Sequence, residues 1–357
     1  MKHFAFIIGL VLVAASSAGC SSTQPERGFQ PAVPSGTAVL SMAHPVQIPV
    51  HPDRRASSMA AGASKRSGLL YASDWATNDV YVFDYPSGKQ VGVLTGLDGS
   101  YGMCVDAQGD IYIGNSGDNT LVEYAHGGDM PLKTYSVVGQ PIGCSVDAKG
   151  DVSVTSFNPG EVIVFAGGDP TKGSTYTGPC EFQWTMGYDD KGNLVGVGED
   201  STGAISACAL LAGSKSIVVL SGCCTGTMQI DSPAGTMWDG KYLAIGDQEF
   251  NGEFQSGVYQ ATLSGATLTV RSQTVLTDTC FSNYTDVVDA FIVGKKNTPV
   301  NRRQGKVVLG PNLWCSDAGS GSGGGINLWH YPAGGPVFRQ IGASLGEPYS
   351  AAVSFAK

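Results

Sequence analysis

The sequence predicts an all-β protein: a six-bladed β-propeller whose last strand completes its first blade. Three observations carry this. Fifty glycines and only 14% charged residues leave no periodic Ala, Leu, Glu and Lys stripes of the kind long helices need, while short runs of Val, Ile, Leu, Tyr and Phe end in Gly, Asp, Asn or Pro, as strands do. "VDAQGD" (105–110) recurs as "VDAKGD" (146–151) and "YDDKGN" (188–193), at offsets of 41 and then 42, a period that suits a four-stranded blade. The ends are complementary: "EPYSAAVSF" (347–355) resembles the inner-strand segment "GSYGMCVD" (99–106), and the first unit begins at "SGLLYASD" without an inner strand of its own.

At the amino terminus, Met1-Lys2-His3 precedes an apolar run from Phe4 to Ala15. It is about a dozen residues long, where a membrane-spanning helix needs about 20, so it reads as a secretory signal over residues 1–19. Ala18-Gly19-Cys20 resembles the bacterial lipobox, with Ser17 where that motif usually carries leucine; the resemblance implies lipidation at Cys20 and attachment to a membrane of the cell envelope. Residues 20–67, rich in Ser, Pro, Ala and Gly, lack sustained apolar periodicity and are expected to form a disordered tether whose distal part is basic (Arg54, Arg55, Lys65, Arg66). The propeller is assigned to residues 68–357.

Within it, the 41-residue offset places Ile113 on Val154, Leu121 on Val162 and Tyr124 on Phe165, and, run backward, Asp74 on Asn115 and Phe83 on Tyr124. An aromatic residue before a glycine turn recurs in "YPSG" (85–88), "YAHGG" (124–128), "FAGG" (165–168) and "YPAGG" (331–335). Later units are looser. "MWDGKYLAIGD" (237–247) restores the pattern after an insertion, and "VVDAFIVGKK" (287–296) with "KVVLGPN" (306–312) suggests a long hairpin excursion. The count is six. A Pro/Gly-led inner strand followed by "VDxxGD", "IYIGNSGDN" and "LVEY" is similar to NHL-type repeats. That likeness implies a six-bladed propeller and says little about activity, since such folds host binders, hydrolases and lyases.

The "DAQGD" stretch could be a calcium loop or a hairpin turn. A calcium loop supplies six or more oxygens, with a carboxylate near position twelve; counted from Asp106, that position is Gly117. Aspartate and glycine are also what a tight hairpin requires, so a structural turn is expected. The opposite, loop-lined mouth gathers the candidate site: Asp74, Trp75, Asn115, Phe157, Trp184, Glu199, Asp200, Asp247, Glu249, Asn312 and Trp314, with Tyr101, Pro141, Tyr284 and Tyr349 at the starts of inner strands. Carboxylates beside rings suit sugars, cationic small molecules or peptides.

Only His126 and His330 fall inside the propeller, both placed away from the mouth, which opposes histidine-dependent chemistry. Propeller lyases and zinc-dependent amidating enzymes with related repeats use mouth histidines. Lactonase-like propellers instead hold a divalent ion through Glu, Asn and Asp, and Glu199, Asp247, Asn115 and Asn312 are residues of those types here. No nucleophile-elbow, phosphate-loop or zinc-helix motif occurs. The expectation is therefore a binding scaffold for a protein, peptide or glycan, without a cofactor. The alternative is a hydrolase or lactonase dependent on calcium or zinc. A net charge of −9 and the lack of a basic, aromatic-interleaved patch oppose nucleic-acid binding.

Nine cysteines leave eight beyond Cys20, an even number in an exported chain. Cys104 and Cys144, on adjacent inner strands, face either toward or away from each other. Cys280 and Cys315 form a second candidate pair, and Cys223 and Cys224 could join Cys180 in stapling the fourth blade or remain buried thiols.

Overall fold

A computed structural model describes residues 56–357, except 158–159, 182–184, 201, 225, 249, 251–255, 278–290, 294–305 and 313–323. The strands form six separate sheets, antiparallel except at one outer edge. In blade II they are Ser100–Val105, Ile111–Asn115, Thr120–Tyr124 and Pro131–Ser136, running from the innermost strand to the outermost. Blade III repeats this with Gln140–Val146, Val152–Phe157, Glu161–Phe165 and Gly173–Tyr176.

The two ends of the described segment meet in blade I. Pro348–Phe355 lies against Gly68–Asp74 in antiparallel register from Gly68↔Phe355 to Asp74↔Pro348, and Asp79–Asp84 and Gln90–Leu94 follow outward. The expected closure is therefore present. The folded unit also starts earlier than the repeat does: Ser58–Met59 pairs with Val93 and Gly92 as a fifth, outermost strand. Thr95 N–H donates to Ser57 Oγ at 3.0 Å, and Met59 packs against the core between blades I and II. The distal end of the segment expected to be a tether thus belongs to blade I, because an apolar methionine and an open sheet edge outweigh the local Ser/Ala composition.

The inner strand of blade IV is split, Cys180–Glu181 and Gly187–Tyr188 both pairing with Leu194–Asp200. Blade V carries the longest hairpin, Ser256–Ser264 with Thr267–Thr277, whose outer edge accepts Gly335–Pro336 in parallel. In blade VI, Phe291–Val293 pairs with Lys306–Asn312, so the excursion expected there joins an inner strand to a second strand.

Alternation along each strand feeds two cores. Leu70 and Ala72 join Val307, Leu309 and Leu328 between blades I and VI, whereas Leu69 and Tyr71 join Met103, Ile111 and Ile113 between blades I and II. Equivalent clusters link blades II–III, III–IV, IV–V and V–VI, so the apolar contacts run round a closed ring. Where the inner strands converge, backbones nearly touch. A β-carbon on Gly102 would lie 2.2 Å from the Ile142 carbonyl oxygen, and one on Gly143 would lie 2.1 Å from Thr185 Oγ1.

The "DxxGD" segments are structural turns. Asp106 Oδ1 accepts the N–H groups of Gln108 (2.7 Å) and Asp110 (2.9 Å), and Asp147 Oδ1 accepts those of Lys149 (2.8 Å) and Asp151 (2.9 Å). Gly109 and Gly150 have φ of 90° and 86°, which glycine adopts freely and other residues do not. Asp189 repeats the pattern in blade IV.

Disulfides join Cys104 to Cys144, Cys180 to Cys208, and Cys223 to Cys224. The first links inner strands of neighbouring blades. The second corrects the grouping of Cys180 with Cys223 and Cys224: Cys208 stands on the third strand of the same blade, within reach, and the adjacent pair closes on itself. Cys20, Cys280 and Cys315 lie outside the described residues.

Candidate ligand-binding mouth

The loops between second and third strands, and those leading into the inner strands, lie at one end of the ring. Three of the polar residues expected to line it do structural work instead. The Asp74 carboxylate, 1% exposed, accepts the N–H groups of Ala76 (3.0 Å), Gly346 (2.8 Å) and Glu347 (2.9 Å). Asn115, at the equivalent place in blade II, accepts Asp98 N–H at 2.5 Å and donates to Asp118 Oδ2 (3.0 Å) and Thr120 Oγ1 (3.1 Å). Asp247, in blade V, accepts Ser232 N–H at 3.1 Å. In each case a side chain at the end of the second strand ties down the loop that delivers the inner strand. The 41-residue offset between Asp74 and Asn115 was the available signal for this shared role.

In blade IV, Asp200 accepts the Thr202 hydroxyl (2.6 Å) and the N–H groups of Thr202 (2.8 Å) and Ala204 (3.1 Å). These bonds, the Thr202 hydroxyl foremost, hold its pKa below the usual carboxylate value. Glu199, half-buried, stands directly opposite Glu181 in the register of blade IV. Phe157 is half-buried at the end of its strand. Asn312 closes the second strand of blade VI. Trp184, Glu249, Tyr284 and Trp314 lie outside the described residues.

The mouth brings together Trp75, Tyr101 and Tyr349, all half-buried. The indole of Trp75 meets Tyr101 edge-on (centroids 5.8 Å apart, planes at 89°) and Tyr349 at a tilt (6.2 Å, 44°). The two tyrosine rings are 4.1 Å apart, and their hydroxyls are hydrogen-bonded. The backbone N–H of Trp75 donates to the Glu347 carbonyl at 2.9 Å, and the indole ring lies over Gly99, where a β-carbon would come within 3.1 Å of it. Tyr101 and Tyr349 start the inner strands of blades II and I, so this group straddles the blade in which the ring closes. Among the described residues, no group of three or more His, Cys, Asp or Glu side chains is arranged to hold a metal ion.

At the opposite end His126, in the turn after the third strand of blade II, reaches across to blade I. Its Nε2 meets the Arg66 carbonyl at 2.9 Å and its Nδ1 meets Ser354 Oγ, on the closing strand, at 2.6 Å. Burial lowers its pKa, opposed by the Arg66 carbonyl and by Asp110. A cavity of about 310 Å³ opens on this side between blades II and III, bordered by Asp106, Asp110, Tyr112, Glu123 and Lys133. Glu123 is buried there against Lys133 Nζ (3.0 Å) and the Tyr135 hydroxyl (2.6 Å). His330 stacks on Phe338, 4.1 Å between centroids.

Six sheets in a closed ring, with a loop-built mouth at one end, define a six-bladed β-propeller. No protein-family profile matches the sequence, and no curated protein matches it. Among solved structures, a chain of a nidogen–laminin complex is similar with a TM-score of 0.55 at 10% identity, over 81% of this chain and 99% of that one. A functionally unknown protein from Desulfotomaculum acetoxidans DSM 771 has a TM-score of 0.49 at 8% identity, with the same 81% and 99% coverage. At 10% identity, the likeness to the first of these is one of fold alone.

Proposed function

We propose that this propeller is a binding scaffold of a bacterial cell envelope, with repeats of the NHL type, anchored by a lipid on Cys20, whose mouth engages a protein, peptide or glycan. The observation that carries this reading is the Trp75, Tyr101 and Tyr349 group. Rings contributed by two blades gather at the end of the ring where loops converge, beside carboxylates and, among the described residues, without a histidine. Such surfaces serve recognition. The alternative, a metal-dependent hydrolase, draws on Asn115, Asp247, Glu199 and Asn312. Asn115 and Asp247 are engaged with the backbone of their own loops, which favours binding over metal-assisted hydrolysis.

The test takes the full chain through metal analysis, a panel of ester and lactone substrates, and peptide and glycan arrays, in parallel with Trp75→Ala. Binding that Trp75→Ala abolishes at unchanged melting temperature supports the scaffold. Stoichiometric calcium or zinc together with turnover would replace it with the hydrolase. For the anchor, Cys20→Ala is expected to move the protein from membrane to soluble fractions, and an unchanged distribution refutes lipidation.

A further inference from the structure

Charge is unequally divided between the two ends of the ring. Every Lys and Arg among the described residues lies in the first-to-second or third-to-fourth turns, in the strand halves beside them, or at the ends of the folded unit near Arg66 and Lys357. The described mouth loops contain none. They contain carboxylates instead, Asp98 and Asp118 in the loops around Trp75, Glu347 immediately before the closing strand and Asp231 in the loop into blade V, and strands of blade IV add Glu181 and Glu199. Glu181 and Glu199 face each other on paired strands, and like charges in that position repel. The opposite end carries acids as well, but interleaved with lysines, as in the Glu123–Lys133 and Asp169–Lys172 pairs.

We infer that the mouth takes a cationic polypeptide segment, placing one Lys or Arg side chain against the Trp75–Tyr101–Tyr349 rings and others along the carboxylate rim. This rests on the mouth being the binding face, as proposed above. The aromatic group supplies the specific contact: an ammonium or guanidinium within about 6 Å of a ring face is attracted by its quadrupole, most strongly by indole. The rim supplies the long-range part, since a face of one sign steers an oppositely charged partner and repels acidic ones. A single small cation would use the rings alone. The spread of carboxylates from blade I to blade V fits a chain bearing several cations.

The experiment titrates the full chain by calorimetry with hexalysine, hexaarginine, tetramethylammonium, hexaglutamate and maltohexaose, at low salt and near 0.5 M salt. Expected is binding of the two basic peptides, weakened at high salt and reduced at least about five-fold by Trp75→Ala. Asp98→Asn should also weaken it, whereas Asp190→Asn, which removes the same charge at the opposite end, leaves it unchanged. Should Trp75→Ala fail to fold, Trp75→Leu, which keeps apolar bulk over Gly99 but removes the π-face, takes its place and should show the same loss; unchanged peptide binding in it overturns the aromatic contact. Tetramethylammonium binding as tightly as the peptides overturns the polypeptide in favour of a free cation. Maltohexaose binding lost in Trp75→Ala, without peptide binding, overturns the cationic partner but leaves the mouth as the binding face. Peptide binding equally sensitive to Asp190→Asn and Asp98→Asn overturns both.

Discussion

Replacing Asp74 with alanine probes how the ring is shut. The carboxylate holds three backbone N–H groups, two of them from Gly346 and Glu347, which deliver the closing strand from 272 and 273 residues away in the chain. A hydrogen bond to a charged acceptor contributes about 1.5–3 kcal/mol net. Gly346 and Glu347 are exposed, so water can take over part of their bonding, and Ala76 lies in the aspartate's own turn. The expected loss for Asp74→Ala is therefore about 3 kcal/mol, below the sum of three such bonds. For a domain of this size that corresponds to about 6–12 °C in melting temperature. Asp74→Asn keeps one acceptor oxygen but turns an NH2 group toward a donor, and should lose about 1–2 kcal/mol. Asn115→Ala, which loosens a loop within the chain, should lose a similar 1–2 kcal/mol without freeing a terminus. Urea unfolding followed by tryptophan fluorescence gives the energies, and hydrogen exchange resolved by segment gives the location. Asp74→Ala should lose protection first over 346–355. An unchanged midpoint, or protection lost evenly around the ring, would refute the clamp.

Three further outcomes follow from the same architecture. Deleting residues after Glu347 removes the inner strand of blade I together with Val353 and Phe355 from the core shared with blade VI, and should abolish cooperative unfolding; a retained sharp transition contradicts end closure. The Cys104–Cys144 disulfide spans 40 residues, for which loop-closure entropy gives about 4 kcal/mol, so the double Ser variant should lose that much relative to the oxidised wild type, and a cost below about 1 kcal/mol would deny it that role. His126 has a folded pKa below its unfolded value of about 6.5. The unfolded chain then takes up the proton more readily, so the stability His126 contributes is complete above about pH 6.5 and declines as pH falls through the window below it. His126→Gln should flatten that part of the stability profile, and identical profiles in wild type and variant would refute the assignment.

The fold was legible because its signals are local and repeated. An aspartate that bonds the amides two and four residues on, followed by a glycine at positive φ, makes the same turn wherever it occurs, so "VDAQGD" and "VDAKGD" announced two blades and their spacing. The closing strand was legible because Tyr101 and Tyr349 head segments of the same pattern. The site was less so. A polar side chain at the end of a strand reads alike whether it faces solvent or binds the next loop; the 41-residue offset pairs Asp74 with Asn115, and the third dimension shows that both, with Asp247, turn to the backbone. Cysteine partners were hidden for a related reason. Cys208 lies in an ordinary strand, "ISACAL", and nothing in its neighbours announces that Cys180 stands opposite. Ser58–Met59 escaped notice because two residues carry no periodicity.

Closing the ring with the last strand makes the first blade the last to be finished. Ribosomes add about 5–20 residues per second, so the 272 residues between Asp74 and Gly346 correspond to roughly 14–54 s of synthesis during which Gly68–Asp74 has no neighbour on its inner side. Throughout that interval the newborn chain presents an unpaired edge bearing Leu69, Leu70 and Tyr71, the kind of surface that recruits other chains. Export in an unfolded state would hand the same task to whatever holds the polypeptide on the far side of the membrane. Biogenesis is thus where this architecture is most exposed, and overproduction should tax holding chaperones before it taxes the finished ring.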